Sequence, residues 1–269
     1  MIDIEEAGSH VQDATSFHFP FGEHIDLPQI YGFQITKFMV LEVVAALLML
    51  MLFVPLARRM ASGEPLRGRL GNLMEAMLVF LRDEVARPAI GRHDADRFLP
   101  FIWTIFFFVL FCNLLGLVPW MGSPTGALAT TAALAVVTFL VVVGSGMTHH
   151  GAVGFWTGMV PQMELPGVLA IVLKPMLLVI EIVGLAIRHA VLAVRLLANM
   201  FAGHVVVAVI VGFIAATAPA MFALWAGVTA ASVLGATALN LLELFVAFLQ
   251  AYIFAFLSAL FIGMAIHQH

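Results

Sequence analysis

Apolar positions in this sequence come in long uninterrupted runs rather than in alternation or narrow stripes. Residues 38–57 are mostly apolar, with one acid, Glu42, near the start. That length matches the ~20 residues a helix needs to cross a ~30 Å hydrocarbon core. Two further runs occupy 98–118 and 126–146. The intervening PWMGSPT, with Pro119, Gly122 and Pro124, predicts a tight turn and hence a transmembrane hairpin. Beyond it, residues 168–217 run apolar, and after Pro219 a second run of similar length reaches His267.

A 45-residue helix is ~68 Å long, more than twice the thickness of the core. Because no polar turn interrupts either long run, each is predicted to be one strongly tilted helix, crossing once. Pro175, Gly184 and Gly203 permit bends without requiring them. Between the first two spans, Leu66, Leu70, Leu73, Met74, Met77, Leu78, Leu81 and Val85 recur at steps of three and four, opposite Arg67, Arg69, Glu75, Arg82 and Asp83. This predicts an amphipathic helix, ended by Pro88, too polar to span and lying along the membrane surface. The expected fold is an all-α integral membrane protein with five crossings, an interfacial helix and a long tilted C-terminal hairpin. Its segments are a tail (1–37), a first span (38–57), an arginine-rich segment (58–97), a hairpin (98–147), a loop (148–166) and the long hairpin (167–269). In the loop, Phe155 and Trp156 suit a membrane interface.

Composition agrees: 62% of residues are hydrophobic and 10% charged, against roughly 25% charged in a soluble domain. Residues 1–97 hold 9 of the 12 Lys and Arg and 13 of the 16 Asp and Glu. The rest of the chain cannot present an ordinary water-soluble surface, which excludes a soluble enzyme or nucleic-acid binder. Arginines follow the first span, whereas the tail before it holds only Lys37, so the tail is expected outside and the C-terminus inside. The tail has neither the basic start nor the apolar run of a secretory signal, and it lacks the arginines of a transit peptide. Cys112 is the sole cysteine. The adjacent His149 and His150, without a spaced third ligand, do not make a metal box. No metal or cofactor is expected.

Ionisable groups within spans cost about 2.5–3.5 kcal/mol each on insertion scales, so each needs a reason. Lys174 is near enough to an end to snorkel. Glu181, Arg188 and Arg195 are seven apart and share a helical line, with Asn199 about 40° away. His204 points to another face. On the last run Glu243 and Gln250 share a face, and folding the two runs back near Pro219 brings Asn240 and Glu243 to a depth near His204. His204 and Glu243 are therefore candidate partners. A histidine and carboxylates at graded depths, interrupted by an arginine that cannot relay a proton, have the makings of a proton path. The structural alternative is an arginine paired within the chain to Glu181 or Glu243.

The segments AVRLLANMFAGH (193–204) and ELFVAFLQAYIF (243–254), with FCNLLGLVP at 111–119, resemble subunit a of F-type proton-translocating ATP synthases. The resemblance covers most of the chain after the tail. It implies a non-catalytic stator beside a rotating c-subunit ring, with Arg195 facing the ring carboxylate and Asn199 and Gln250 beside it. Glu181 would line a cytoplasmic half-channel, and His204 and Glu243 an external one, exchanged relative to the enterobacterial order. Asn113, Asn240, Arg188 and His189 are further candidate lining residues. The implied partners are the c ring, peripheral-stalk b subunits, other synthase subunits, lipid and protons, in a bacterial plasma membrane. The competing reading is a proton-coupled secondary transporter. Against it, the sequence shows no internal repeat and few polar positions for a substrate site.

Overall fold

A computed structural model describes residues 14, 16–18, 24–30, 33–62, 68–118, 121–159, 167–219 and 221–267, with side chains undescribed at 16–18, 24–26, 30, 33, 167–172 and 204. The chain is an all-α integral membrane protein. Five helices are long and apolar enough to cross a bilayer. They are α1 (Lys37–Ala61), α4 (Ala95–Gly116), α5 (Leu128–His150), α7 (Gly167–Thr217) and α8 (Phe222–Ile266). The tail adds two short antiparallel ladders, Ser16–His18 with His24–Asp26 and Gln29–Ile30 with Phe33–Gln34.

Both long apolar runs are single helices, of 51 and 45 residues, about 77 and 68 Å at 1.5 Å per residue. Pro175 lies inside the first without ending it.

The arginine-rich segment departs from the sequence expectation. Leu66 and Arg67 lie outside the described residues. Helix α2 (Arg69–Phe80) passes into a π-helical turn (Leu81–Ala86) and then α3 (Arg87–Ile90), so Pro88 does not stop the helix. A wider turn just upstream gives the proline ring room where an α-helical carbonyl would clash. The stop falls at Gly91, whose φ of 98° is open to glycine and strained for other residues, and whose N–H donates to the Arg87 carbonyl.

The described residues form two compact units, each with its own packing. One comprises Met1–Gly63, Phe107–Thr131 and Arg195–Ala251; the other Glu64–Phe106, Ala132–Val194 and Tyr252–His269. In the first, α1 packs on α4 through Phe53 and Phe107, with ring centroids 4.6 Å apart. Thr130 at the start of α5 donates a 2.7 Å hydrogen bond to Glu42, giving the acid of the first span a polar partner. In the second, the Trp103 indole N–H donates to the Leu78 carbonyl at 3.1 Å. Gly263 of α8 meets the backbone of Ala89 and Ile90 so closely that a Cβ would overlap it. Phe155, on the short helix α6 (Ala152–Gly158), fills the space beside Gly146 and is fully buried; it is a core residue rather than the interfacial one expected. Beside it His150 Nε2 lies 2.7 Å from the Ile266 carbonyl, at the end of α8.

Candidate ion-translocation site

Helix α7 owes its orientation to one apolar stripe. Leu185, Leu192, Ala193, Leu196 and Met200 are buried, and their helical period places them roughly 90° from the line of Glu181, Arg188 and Arg195. Packing one stripe thus leaves the polar line on the open side. Arg195 and Asn199 are both exposed.

Within the first unit, Arg195 forms no ion pair among the described residues. Among the described residues no salt bridge joins Arg195 to Glu243. Glu243 instead leans on the neighbouring helix: its carboxylate lies directly against the Cα of Gly203. A side chain at 203 would occupy the space the carboxylate uses, which is why the residue before His204 is a glycine. The His204 side chain is outside the described residues, so its pairing with Glu243 stays an expectation. Gln250 is 4% exposed and Asn240 exposed.

Asn113 is wholly buried in α4. Its Nδ2–H donates to the Ala247 carbonyl of α8 at 3.2 Å, and its Oδ1 accepts from Thr125 Oγ1 at 2.6 Å.

Within the second unit, Glu181 pairs with Arg188 at 3.3 Å, both side chains about 40% exposed (38% and 42%). The seven-residue spacing puts both on one helical line, as the sequence indicates, and there they pair. His189 faces the other way: it is 3% exposed, with Phe139 and Phe261 ring centroids at 5.4 and 5.0 Å. Its Nδ1 lies 2.9 Å from the Leu185 carbonyl and donates to it, which leaves Nε2 buried and without a partner among the described residues.

Four contributors escaped the sequence reading. Gly203 was seen only as a permitted bend, and Ser123, Thr125 and Thr130 not at all. Small hydroxyl residues carry no signal of their own in an apolar chain. Glu42 did signal a need, as a lone acid in a span, but not which residue would meet it.

Among the described residues no group of three or more His, Cys, Asp or Glu is arranged to hold a metal ion. What the geometry offers is an unpaired cation on an open helix face, a carboxylate wedged at a helix crossing and a carboxylate paired with an arginine. The chain is 42% identical over 239 residues to ATP synthase subunit a of Myxococcus xanthus (strain DK1622), covering 87% of this chain and 75% of that protein. It is 40% identical over 268 residues to ATP synthase subunit a of Chloroherpeton thalassium (strain ATCC 35110 / GB-78), covering 97% and 76%. It is also 40% identical over 274 residues to ATP synthase subunit a 2 of Chlorobium luteolum (strain DSM 273 / BCRC 81028 / 2530), again 97% and 76%. Residues 39–263 match the ATP synthase A chain family, and the chain belongs to that family, a multi-pass membrane subunit of the F-type ATP synthase.

Proposed function

We propose that the chain is the non-catalytic stator of the membrane sector, with two offset proton half-channels and Arg195 facing the carboxylate of a rotating c ring. The observation that carries this reading is Arg195 itself, an exposed cation on a membrane-crossing helix with no ion pair among the described residues. Such a group is costly in lipid unless something outside the chain supplies a counter-charge. A ring carboxylate is that counter-charge.

Protons enter from the outside near Glu243, His204 and Asn240, and neutralise the ring carboxylate. A neutral carboxyl costs far less to carry past lipid than a carboxylate, so the ring turns. It loses its proton into the cytoplasmic half-channel at Glu181, which pairs with Arg188. Arg195, with Asn199 and Gln250 beside it, attracts the resulting anion. Guanidinium does not release its proton under ordinary conditions, so Arg195 also blocks direct passage between the half-channels. In this reading the N-terminus is outside, the C-terminus cytoplasmic and the membrane a bacterial plasma membrane. Peripheral-stalk b subunits contact the arginine-rich segment.

The test is ATP-driven acidification of membrane vesicles carrying the assembled complex with Arg195→Ala, alongside a passive proton-leak assay. Lost pumping with normal assembly is expected, and an added leak would support the barrier role. Retained pumping would overturn the reading.

A further inference from the structure

We propose that Asn113 is a positioning residue that sets the rotation and depth of α8 between Glu243 and Gln250, and that it carries no proton itself. The inference rests on the reading of those two residues as part of the ion path. It starts from a buried chain of hydrogen bonds. Asn113 and Thr125 are 0% exposed and Ser123 2%. Thr125 Oγ1 donates to Asn113 Oδ1 at 2.6 Å, and Ser123 Oγ lies 2.7 Å from Thr125 Oγ1. A hydroxyl has one proton, so with Thr125 committed to Asn113, Ser123 must be its donor. This polarity holds the amide in one orientation, with Nδ2–H toward the Ala247 carbonyl at 3.2 Å. That carbonyl has a second lone pair beyond the one used inside the helix.

Ala247 lies one turn beyond Glu243 and just under one turn before Gln250. A slip of α8 by one residue would turn every side chain by ~100° and move it 1.5 Å. Steric ridges do little to prevent this, because apart from the buried Gln250 the packed surface at this level is Ala247 and Ala251, both 0% exposed. The bond from Asn113 is directional. It is also the one side-chain hydrogen bond onto α8 from another element of its unit among the described residues. It locks the register of the stretch that carries Glu243, whose carboxylate has little room beside Gly203.

The experiment uses the assembled complex in membrane vesicles, in a Cys112→Ala background that leaves the chain without cysteine. Asn113→Leu removes the bond. Asn113→Asp keeps the shape: its neutral carboxyl can donate to Ala247 and accept from Thr125, whereas its carboxylate opposes oxygen to oxygen. Val246→Cys and Leu249→Cys report the rotation of α8 through their reactivity toward a charged methanethiosulfonate. ATP-driven pumping is expected to fall about tenfold or more in Asn113→Leu, the scale of an ångström-level misplacement. The reactivities of cysteines 246 and 249 should change together with it. Asn113→Asp should pump at neutral pH and lose pumping toward alkaline pH where its parent does not. Asn113→Cys should resist the charged reagent.

Labelling of Asn113→Cys would place water at this residue and overturn the inference in favour of a lining role. So would parental pumping and parental cysteine reactivity in Asn113→Leu. If Asn113→Leu fails to assemble, a pH profile of Asn113→Asp identical to the parent would overturn it as well. The cysteine reactivities read register without proton movement, so they stand even if Arg195→Ala pumps normally and the ion-path reading falls.

Discussion

Gly203→Ala is the perturbation whose consequence is most closely set by the structure. A Cβ at 203 would lie 2.8 Å from Glu243 Cδ and 3.2 Å from Cγ, and closer still to the carboxylate oxygen. Carbon atoms rest at ~3.5–4.0 Å, so at least ~0.7 Å of overlap must be relieved. The yielding group is the end of a flexible side chain, which can move at the cost of a distorted rotamer, about 0.5–1.5 kcal/mol. Opposing this, alanine favours a helix over glycine by about 1 kcal/mol. The two nearly cancel, so the complex is expected to assemble while the carboxylate sits in the wrong place. If Glu243 lines the external half-channel, a displacement of this size should slow ATP-driven acidification about tenfold, equivalent to ~1.4 kcal/mol in the barrier. ATP hydrolysis and passive leak, measured on the same vesicles, separate a pumping defect from poor assembly. Shortening the acid in the same background, Gly203→Ala with Glu243→Asp, should restore part of the rate. Full pumping by Gly203→Ala alone would refute the reasoning, because it would mean that the position of this carboxylate is immaterial.

Gly263→Ala differs in kind, because the added Cβ meets the Ala89 and Ile90 backbone rather than a side chain that can swing away. A loss of ~1–3 kcal/mol is expected, seen as a lower melting temperature of the purified complex; an unchanged temperature would contradict the close approach of α8 to α3. On the polar face of the arginine-rich segment, the hydrogen bond from Arg82, helped by Arg87 at 2.7 Å, lowers the Asp83 pKa below its ordinary value. A lowered folded-state pKa contributes stability above the unfolded pKa of ~3.9 and loses it as pH falls through the folded value. Asp83→Asn should therefore be less stable than its parent at neutral pH, with the difference closing in acid; a difference independent of pH would sink this account.

The fold was legible because a membrane restricts the alternatives. A run of apolar residues in lipid must satisfy its backbone internally, so span number and helix continuity follow from length and composition. The same logic made Glu181, Arg188 and Arg195 visible as a line, since seven residues nearly close two turns of one helix whatever surrounds it. The limits appeared where local rules met a neighbour. Pro88 reads as a stop, yet the helix widens into a π turn and continues to Gly91. Phe155 reads as interfacial, yet Gly146 opens a space that it fills.

The candidate site divides along the same boundary. By itself the sequence determined which groups are too costly to be accidental in lipid, and how they are spaced along each helix, because both depend on residue type and helical period alone. Only tertiary structure decided which of those groups find a partner on another helix: Glu42 takes Thr130, Asn113 takes Ala247, and Glu243 rests on Gly203. All of these contacts join residues separated by 40 or more positions in sequence. Hydrogen bonds and steric contacts are short-ranged, so no pattern along one helix encodes the atom it will meet on another.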